Sequence, residues 1–123
     1  LMFYRGDLEQ ATALLREVRA QHPNLRGVQP LLGLCLSAQG EHDAALAELD
    51  EEVLRTAAVD ADTAYSVASL FALEGRLDDA FAWLRRSMAL GNENRFWFEH
   101  DPNLDALRAD ERFAEVMRSV ANA

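Results

Sequence analysis

Three histidines, His22, His42 and His100, are the side chains of this chain best suited to proton transfer or metal binding. Two of them lie in the tripeptide Glu-His-Asp, at 41–43 and 99–101. An imidazole beside two carboxylates could bind a metal or exchange protons. Adjacent residues on a helix do not face each other, however, so neither tripeptide brings its three side chains together. Leucines lie 34 residues before and 35 residues after His42, at Leu8 and Leu77, and this pattern predicts that His42 is packed. His100 precedes Asp101-Pro102, and we predict a surface or helix-capping histidine there.

The chain lacks the sequence patterns that carry other kinds of catalysis. All twelve of its basic residues are arginines, so a phosphate-binding G-x-x-x-x-G-K-[ST] loop cannot form. Ser37 lies in Leu-Cys-Leu-Ser-Ala and not in a G-x-S-x-G nucleophile turn. Cys35 is a single cysteine with no cation within one helical turn, which predicts a buried, unreactive thiol. We expect no enzyme activity, no catalytic residue, no metal site and no cofactor.

Length and charge narrow the class of protein further. The chain has 123 residues, half of them apolar, which is enough for one globular domain with a core. Its net charge of −9 argues against nucleic-acid binding, which needs a basic face. No apolar run approaches the roughly 18–20 residues of a membrane helix, so we expect no membrane association. Without a visible signal sequence or cysteine pair, a cytoplasmic location is expected.

The negative charge is concentrated in the segment 41–62, which has eight acidic residues and one basic residue, Arg55. The simpler interpretation is a solvated helix face that keeps the protein dispersed. The alternative is a docking face for a basic partner. The acidic residues are Glu41, Asp43, Glu48, Asp50, Glu51, Glu52, Asp60 and Asp62.

A glycine, an alanine and a leucine recur at the same offsets in three segments. The three glycines are separated by 34 and then 35 residues, and the three alanines and the three leucines are separated by the same distances. Columns that shift together indicate an internal repeat. The three columns are Gly6, Gly40 and Gly75; Ala11, Ala45 and Ala80; and Leu15, Leu49 and Leu84.

The composition of each unit is typical of a helix, a tight turn and a second helix. Glycine supplies the left-handed conformation at the turn, and an acidic residue three positions later favours the N-terminus of the second helix. The alanine allows close helix packing, and the leucine lies on the same face. We therefore predict an all-α fold, an antiparallel helical-hairpin solenoid in which each unit covers its neighbour. The acidic residues are Glu9, Asp43 and Asp78.

On these residues the chain resembles the tetratricopeptide repeat (TPR) family, whose unit is a 34-residue helical hairpin. Residues 1–94 divide into a partial unit, 1–25, and two full units, 26–59 and 61–94. The resemblance implies a right-handed superhelix and a role in protein binding. The residues at the family's positions are Leu32, Gly33, Leu36, Gly40, Ala45 and Leu49 in one full unit. In the other they are Val67, Ala68, Phe71, Gly75, Ala80 and Leu84.

Some positions depart from the family pattern. Gln29 and Ala64 replace a bulky residue early in the first helices, and Glu52 replaces a small residue. Pro30 is tolerated only in a first turn, which predicts a helix that begins near Val28. The extra residue of the last unit predicts a lengthened connection at 57–61.

Residues 95–123 leave the repeat. Phe96, Trp97 and Phe98 are predicted to form a plug that covers the last helical pair. The run from Asp101 to Phe113 is similar to D-P-x-x-x-x-L-R-x-D-P-R-F, an ending seen after TPR arrays in bacterial signalling proteins, with Glu111 at the second proline. We expect a C-terminal pair of capping helices. The resemblance is greatest to arrays attached to Ser/Thr kinases.

In the TPR family the first helix of each pair lines a concave groove in which partner peptides bind. The resemblance therefore implies a protein-interaction module with a neutral, apolar groove for a protein or peptide segment. The alternative is an intramolecular regulatory tail of a signalling enzyme such as a Ser/Thr kinase. The positions carried over to the groove are Phe3, Tyr4, Pro30, Leu34, Ser37, Ala38, Asp62, Tyr65, Ser69, Ala72 and Leu73.

The first residues, 1–5, have helical character but no capping residue and no preceding half-unit. This pattern predicts that the sequence is the C-terminal part of a longer protein. An incomplete first helix would also expose apolar surface, through which the chain could self-associate.

Overall fold

Every regular element in the described part of the chain is a helix, so the predicted all-α class is confirmed. The structure is a computed structural model that describes residues 5–23 and 27–121. A short 3₁₀ turn, Pro102–Leu104, lies between the seventh and eighth α-helices. The helices are α1 (Arg5–Gln21), α2 (Val28–Ala38), α3 (His42–Ala47), α4 (Glu51–Ala57), α5 (Ala61–Leu73), α6 (Leu77–Ala89), α7 (Arg95–His100), α8 (Asp105–Arg108) and α9 (Arg112–Ala121).

Helix α2 begins where the sequence predicts. Gly27 precedes it with φ of 85°, and Pro30 lies in its first turn, where a missing N–H costs no helical hydrogen bond. Helix α1 packs against α2. Gly6, predicted to form a turn, instead lies inside α1. Glycine adopts both helical and left-handed conformations, so its spacing alone could not distinguish a turn from a helix.

The second helix predicted for the unit 26–59 is broken into α3 and α4. Asp50 ends the break, because its carboxylate accepts a hydrogen bond from the Val53 N–H at 2.9 Å and caps α4. Gln29 of α2 also donates to Asp50, at 2.7 Å. Helix α3 packs against α2, whereas α4 packs against α5. The predicted connection after Ala57 is present, since α5 begins at Ala61.

Two glycine turns connect α2 to α3 and α5 to α6, and the helices of each pair pack against each other. Gly40 has φ of 81° and Gly75 has φ of 75°, which confirms the predicted left-handed turns. Helices α2 and α5 also pack side by side. Their approach depends on Gly33, because a Cβ at this position would lie 2.8 Å from Leu70 Cδ2 and 3.3 Å from the Ala45 carbonyl oxygen.

The C-terminal helices pack onto α5 and α6. Phe98, Leu104, Leu107 and Phe113 are buried in one core cluster with Phe81, Leu84, Val116 and Met117. The prediction that three consecutive aromatic residues form a plug is wrong for two of them, since Phe96 is 71% exposed and Trp97 is 46% exposed. Consecutive side chains on a helix point about 100° apart, so the face of α7 that packs on the core buries Phe98 and leaves Phe96 and Trp97 largely exposed. No helix of residues 5–23 and 27–121 is both long and apolar enough to cross a bilayer.

Candidate functional site

The residues predicted to line a groove differ widely in exposure. Phe3 and Tyr4 lie outside the described residues. Four others are buried and offer a partner almost no surface: Pro30, Ser37, Ser69 and Ala72. Leu34 and Tyr65 are half-buried, and the exposed members are Ala38, Asp62 and Leu73. The buried hydroxyl of Ser69 donates to the Tyr65 carbonyl oxygen of the same helix at 3.0 Å, so its hydrogen-bonding capacity is satisfied without a partner molecule.

Tyr65 is covered by the C-terminal segment. Its ring stacks on Phe98 with 5.5 Å between ring centroids, and its hydroxyl donates to the Asp101 carboxylate at 2.5 Å. Burial, and then the neighbouring carboxylate, raise the pKa of the Tyr65 hydroxyl well above its usual range. The aromatic ring is therefore used to attach the C-terminal helices to α5.

We use the name α2–α5 face for three apolar residues that the two adjacent helices α2 and α5 leave at least partly exposed, Leu34, Ala38 and Leu73. Leu34 and Ala38 are on α2, and Leu73 is the last residue of α5, with 39% of its surface exposed. Neither helix contains a basic residue, and Asp62 at the start of α5 is their only acidic one. The face is therefore apolar and nearly uncharged.

A polar cluster of Ser37, His42 and Glu74 lies at the C-terminal ends of α2 and α5. The side chain of Glu74 is only 3% exposed. Its Oε2 accepts a hydrogen bond from the Ser37 hydroxyl at 2.7 Å and lies 2.7 Å from His42 Nδ1. The cluster joins α2, the turn after it and the end of α5.

His42 is not packed in the core, so the prediction made for it is wrong. Its side chain is 63% exposed. The equivalent positions of the other units are leucines that can pack, whereas an imidazole gains more by hydrogen bonding to a carboxylate while staying in water. The carboxylate that holds it comes from a residue 32 positions away.

The cluster lacks the geometry of a serine–histidine–acid triad. In such a triad the imidazole receives the serine proton, and the acid holds the other side of the ring. Here the Ser37 hydroxyl donates to Glu74 itself, and His42 binds the same carboxylate. Ser37 is also buried. The arrangement orients an imidazole and provides no activated nucleophile.

Sequence reasoning missed Glu74 altogether. The one available signal was its position, because Glu74 ends α5 at the place where Gln39 ends α2. Gln39 also makes long-range contacts, donating to Thr12 Oγ1 of α1 at 2.6 Å. A polar residue at the end of each first helix thus links neighbouring helices.

Other candidate chemical groups have simpler environments. Cys35 is half-buried with a free thiol, and burial raises the pKa of that thiol, which lowers its reactivity at neutral pH. His100 ends α7 on the surface, where its ring stacks on Phe96 with 4.2 Å between centroids. Within the described residues, no group of three or more His, Cys, Asp or Glu side chains could hold a metal ion.

The charged residues of the C-terminal segment bind one another and the helices beneath them. Arg108 donates to the Phe98 carbonyl oxygen at 3.0 Å. Arg112 pairs with Asp110 and with Asp78 of α6. Its guanidinium also lies 4.6 Å from the centroid of the Phe81 ring. The contacts of Arg112 with Asp78 and Phe81 hold the C-terminal helices on α6.

Comparison of the chain with protein-family models, with curated proteins and with solved structures found no match.

Proposed function

We propose that this protein is a TPR-like helical-repeat module that binds a protein or peptide segment at the α2–α5 face. Its role is binding and not catalysis. The repeat of glycine turns and the packing of α1 on α2, of α2 on α5 and of α5 on α6 support a stacked-hairpin arrangement. Two of the repeat's glycines, Gly40 and Gly75, have nearly equal φ values of 81° and 75°.

The observation that carries the proposal is the exposure of apolar side chains on two adjacent first helices. Ala38 and Leu73 are exposed and Leu34 is half-buried, although the helices that carry them pack tightly elsewhere. An apolar face on a pair of helices suits an apolar helix or an extended segment of a partner. Because Tyr65 is engaged by the C-terminal segment, the surface for a partner is the Leu34, Ala38 and Leu73 end of these helices.

The test is selection of binding peptides followed by titration. The intact chain is presented to a phage-displayed library of random peptides, and the recovered peptides are titrated by fluorescence anisotropy. We expect Leu73→Asp to weaken binding by about tenfold or more, equivalent to about 1.4 kcal/mol. The matched control is Val59→Asp, because Val59 is also an exposed aliphatic residue but lies on the connection between α4 and α5.

Two results would contradict the proposal. One is that the wild-type chain recovers no peptide above background. The other is that Leu73→Asp and Val59→Asp change the affinity equally, which would place the binding site elsewhere. Circular dichroism of both variants establishes that each has kept its helical fold.

A further inference from the structure

The ring of His42 is held in one orientation by Glu74. Nδ1 lies 3.0 Å from Oε1 and 2.7 Å from Oε2 of the carboxylate. An ionised carboxylate can only accept hydrogen bonds, so the ring nitrogen that faces it must carry the proton. Ser37 donates to the same carboxylate and fixes it in turn. The neutral ring therefore has Nε2 as a hydrogen-bond acceptor, on a side chain that is mostly in solvent.

The residues next to His42 in the sequence are both acidic. Glu41 and Asp43 flank His42 in sequence, both are exposed, and neither forms an ion pair with another described residue. The one arginine close to the α5–α6 turn, Arg76, pairs with Asp79 at 3.1 Å. His42 thus has acidic neighbours in the sequence, and α2 and α5 have no basic residue of their own.

The arginines without an ion pair among the described residues are on other helices. They belong to α1, α4, α6 and α9, the helices that flank α2 and α5 or follow them in the chain. The net charge of −9 and the exposed carboxylates of Glu41 and Asp43 therefore favour a cation over an anion beside the α2–α5 face. These arginines are Arg16, Arg55, Arg85, Arg118 and Arg86, the last of which donates to the Ala58 carbonyl oxygen.

We propose that the segment bound at the α2–α5 face carries an arginine or lysine next to an apolar residue. The apolar side chain packs on Leu34, Ala38 and Leu73. The cation donates to His42 Nε2 and is attracted by Glu41 and Asp43. This inference rests on the proposed function and adds to it the charge of the partner and the residue that selects it.

The charge of the protein disfavours the other classes of occupant. A second copy of the chain would also carry −9, so docking of one copy on another would meet like-charge repulsion. Nucleic acids and anionic lipid surfaces are repelled for the same reason. A basic protein or peptide segment is the class that the face attracts.

The inference is tested with the peptides recovered from the same library. We expect arginine or lysine to be enriched beside an apolar residue. For the tightest peptide, replacing that basic residue with norleucine should weaken binding about tenfold. His42→Ala should weaken binding by a similar factor, and His100→Ala, the control, should leave it unchanged because His100 is an exposed histidine on α7. Raising the salt concentration should also weaken binding.

The possible outcomes separate this inference from the function on which it rests. Peptides that depend on Leu73 but show no enrichment of basic residues, or that bind His42→Ala and wild type equally, would overturn the inference and leave the binding function intact. Peptides insensitive to Leu73→Asp would overturn both. If His42→Ala weakens binding of the original peptide but does not change binding of the norleucine peptide, His42 and the basic residue of the peptide interact with each other.

Discussion

The hydroxyl of Tyr65 donates a hydrogen bond to the buried carboxylate of Asp101 at a distance of 2.5 Å. The second oxygen of that carboxylate accepts from the Asn103 N–H at 2.9 Å. Tyr65 is on α5, and Asp101 opens the 3₁₀ turn that follows α7. This pair therefore links the C-terminal segment to α5 through a buried carboxylate and a half-buried tyrosine.

Removing the tyrosine hydroxyl should destabilise the protein. We expect Tyr65→Phe to lower the free energy of unfolding by about 1–3 kcal/mol, because it leaves a buried carboxylate oxygen without its donor. The ring and its stacking on Phe98 are kept. Urea denaturation followed by circular dichroism measures the change. A variant as stable as the wild type would show that this hydrogen bond contributes nothing to stability.

The hydrogen bond between Tyr65 and Asp101 should also make the stability of the fold depend on alkaline pH. The folded-state pKa of Tyr65 is raised by burial and by Asp101, above the ordinary tyrosine value of about 10. The stabilisation linked to its protonated form is thus complete below pH 10 and is lost as the pH rises above that value. Urea denaturation at a series of alkaline pH values should show a steeper loss of stability for the wild type than for Tyr65→Phe. Parallel curves would contradict the raised pKa.

Adding a side chain at Gly33 should destabilise the packing of α2 against α5. In Gly33→Ala the new Cβ would lie 2.8 Å from Leu70 Cδ2, and Leu70 is buried. We expect a loss of about 1–3 kcal/mol from overpacking, which exceeds the gain in helix propensity from alanine. Thermal denaturation measures it. In the background of Leu70→Ala, which removes the closest atom, the same substitution should cost less, since only the close contact with the Ala45 carbonyl oxygen at 3.3 Å remains. An equal cost in both backgrounds would contradict the steric explanation.

Removing the side chain of Asp50, which caps α4, should destabilise the protein. We expect Asp50→Ala to lower the free energy of unfolding by about 0.5–2 kcal/mol, because the Val53 N–H loses its acceptor. The control is Asp50→Asn, since asparagine also caps helices well. Urea denaturation compares the three proteins at neutral pH. If alanine and asparagine were equally destabilising, charge and not capping would explain the effect.

Much of the fold follows from local sequence rules. The left-handed turns at Gly40 and Gly75 and the start of α2 at Val28 depend on a few neighbouring residues, so a single sequence contains enough information to place them. The break at Asp50 does not follow from the repeat. The capping carboxylate competes with helix continuation, and Gln29 from another helix adds a second hydrogen bond to it.

The candidate site depends more on contacts distant in sequence. The exposure of Ala38 and Leu73 follows from their matching positions in two units. The orientation of His42 depends on Glu74, 32 residues away in the sequence. The burial of Tyr65 depends on contacts that include Asp101, 36 residues away. Periodicity in the sequence does not indicate such long-range pairs. The packed environment predicted for His42 and the groove position predicted for Tyr65 were therefore both wrong.

The most direct test of the central claim is chemical-shift mapping by nuclear magnetic resonance with the tightest library peptide. Amide and methyl signals of the ¹³C,¹⁵N-labelled protein are followed during titration. If the peptide binds at the α2–α5 face, the largest changes will be at Leu34, Ala38 and Leu73, with His42 at their edge. Changes centred on the exposed arginines of α6 and α9, with Leu73 unaffected, would contradict the claim.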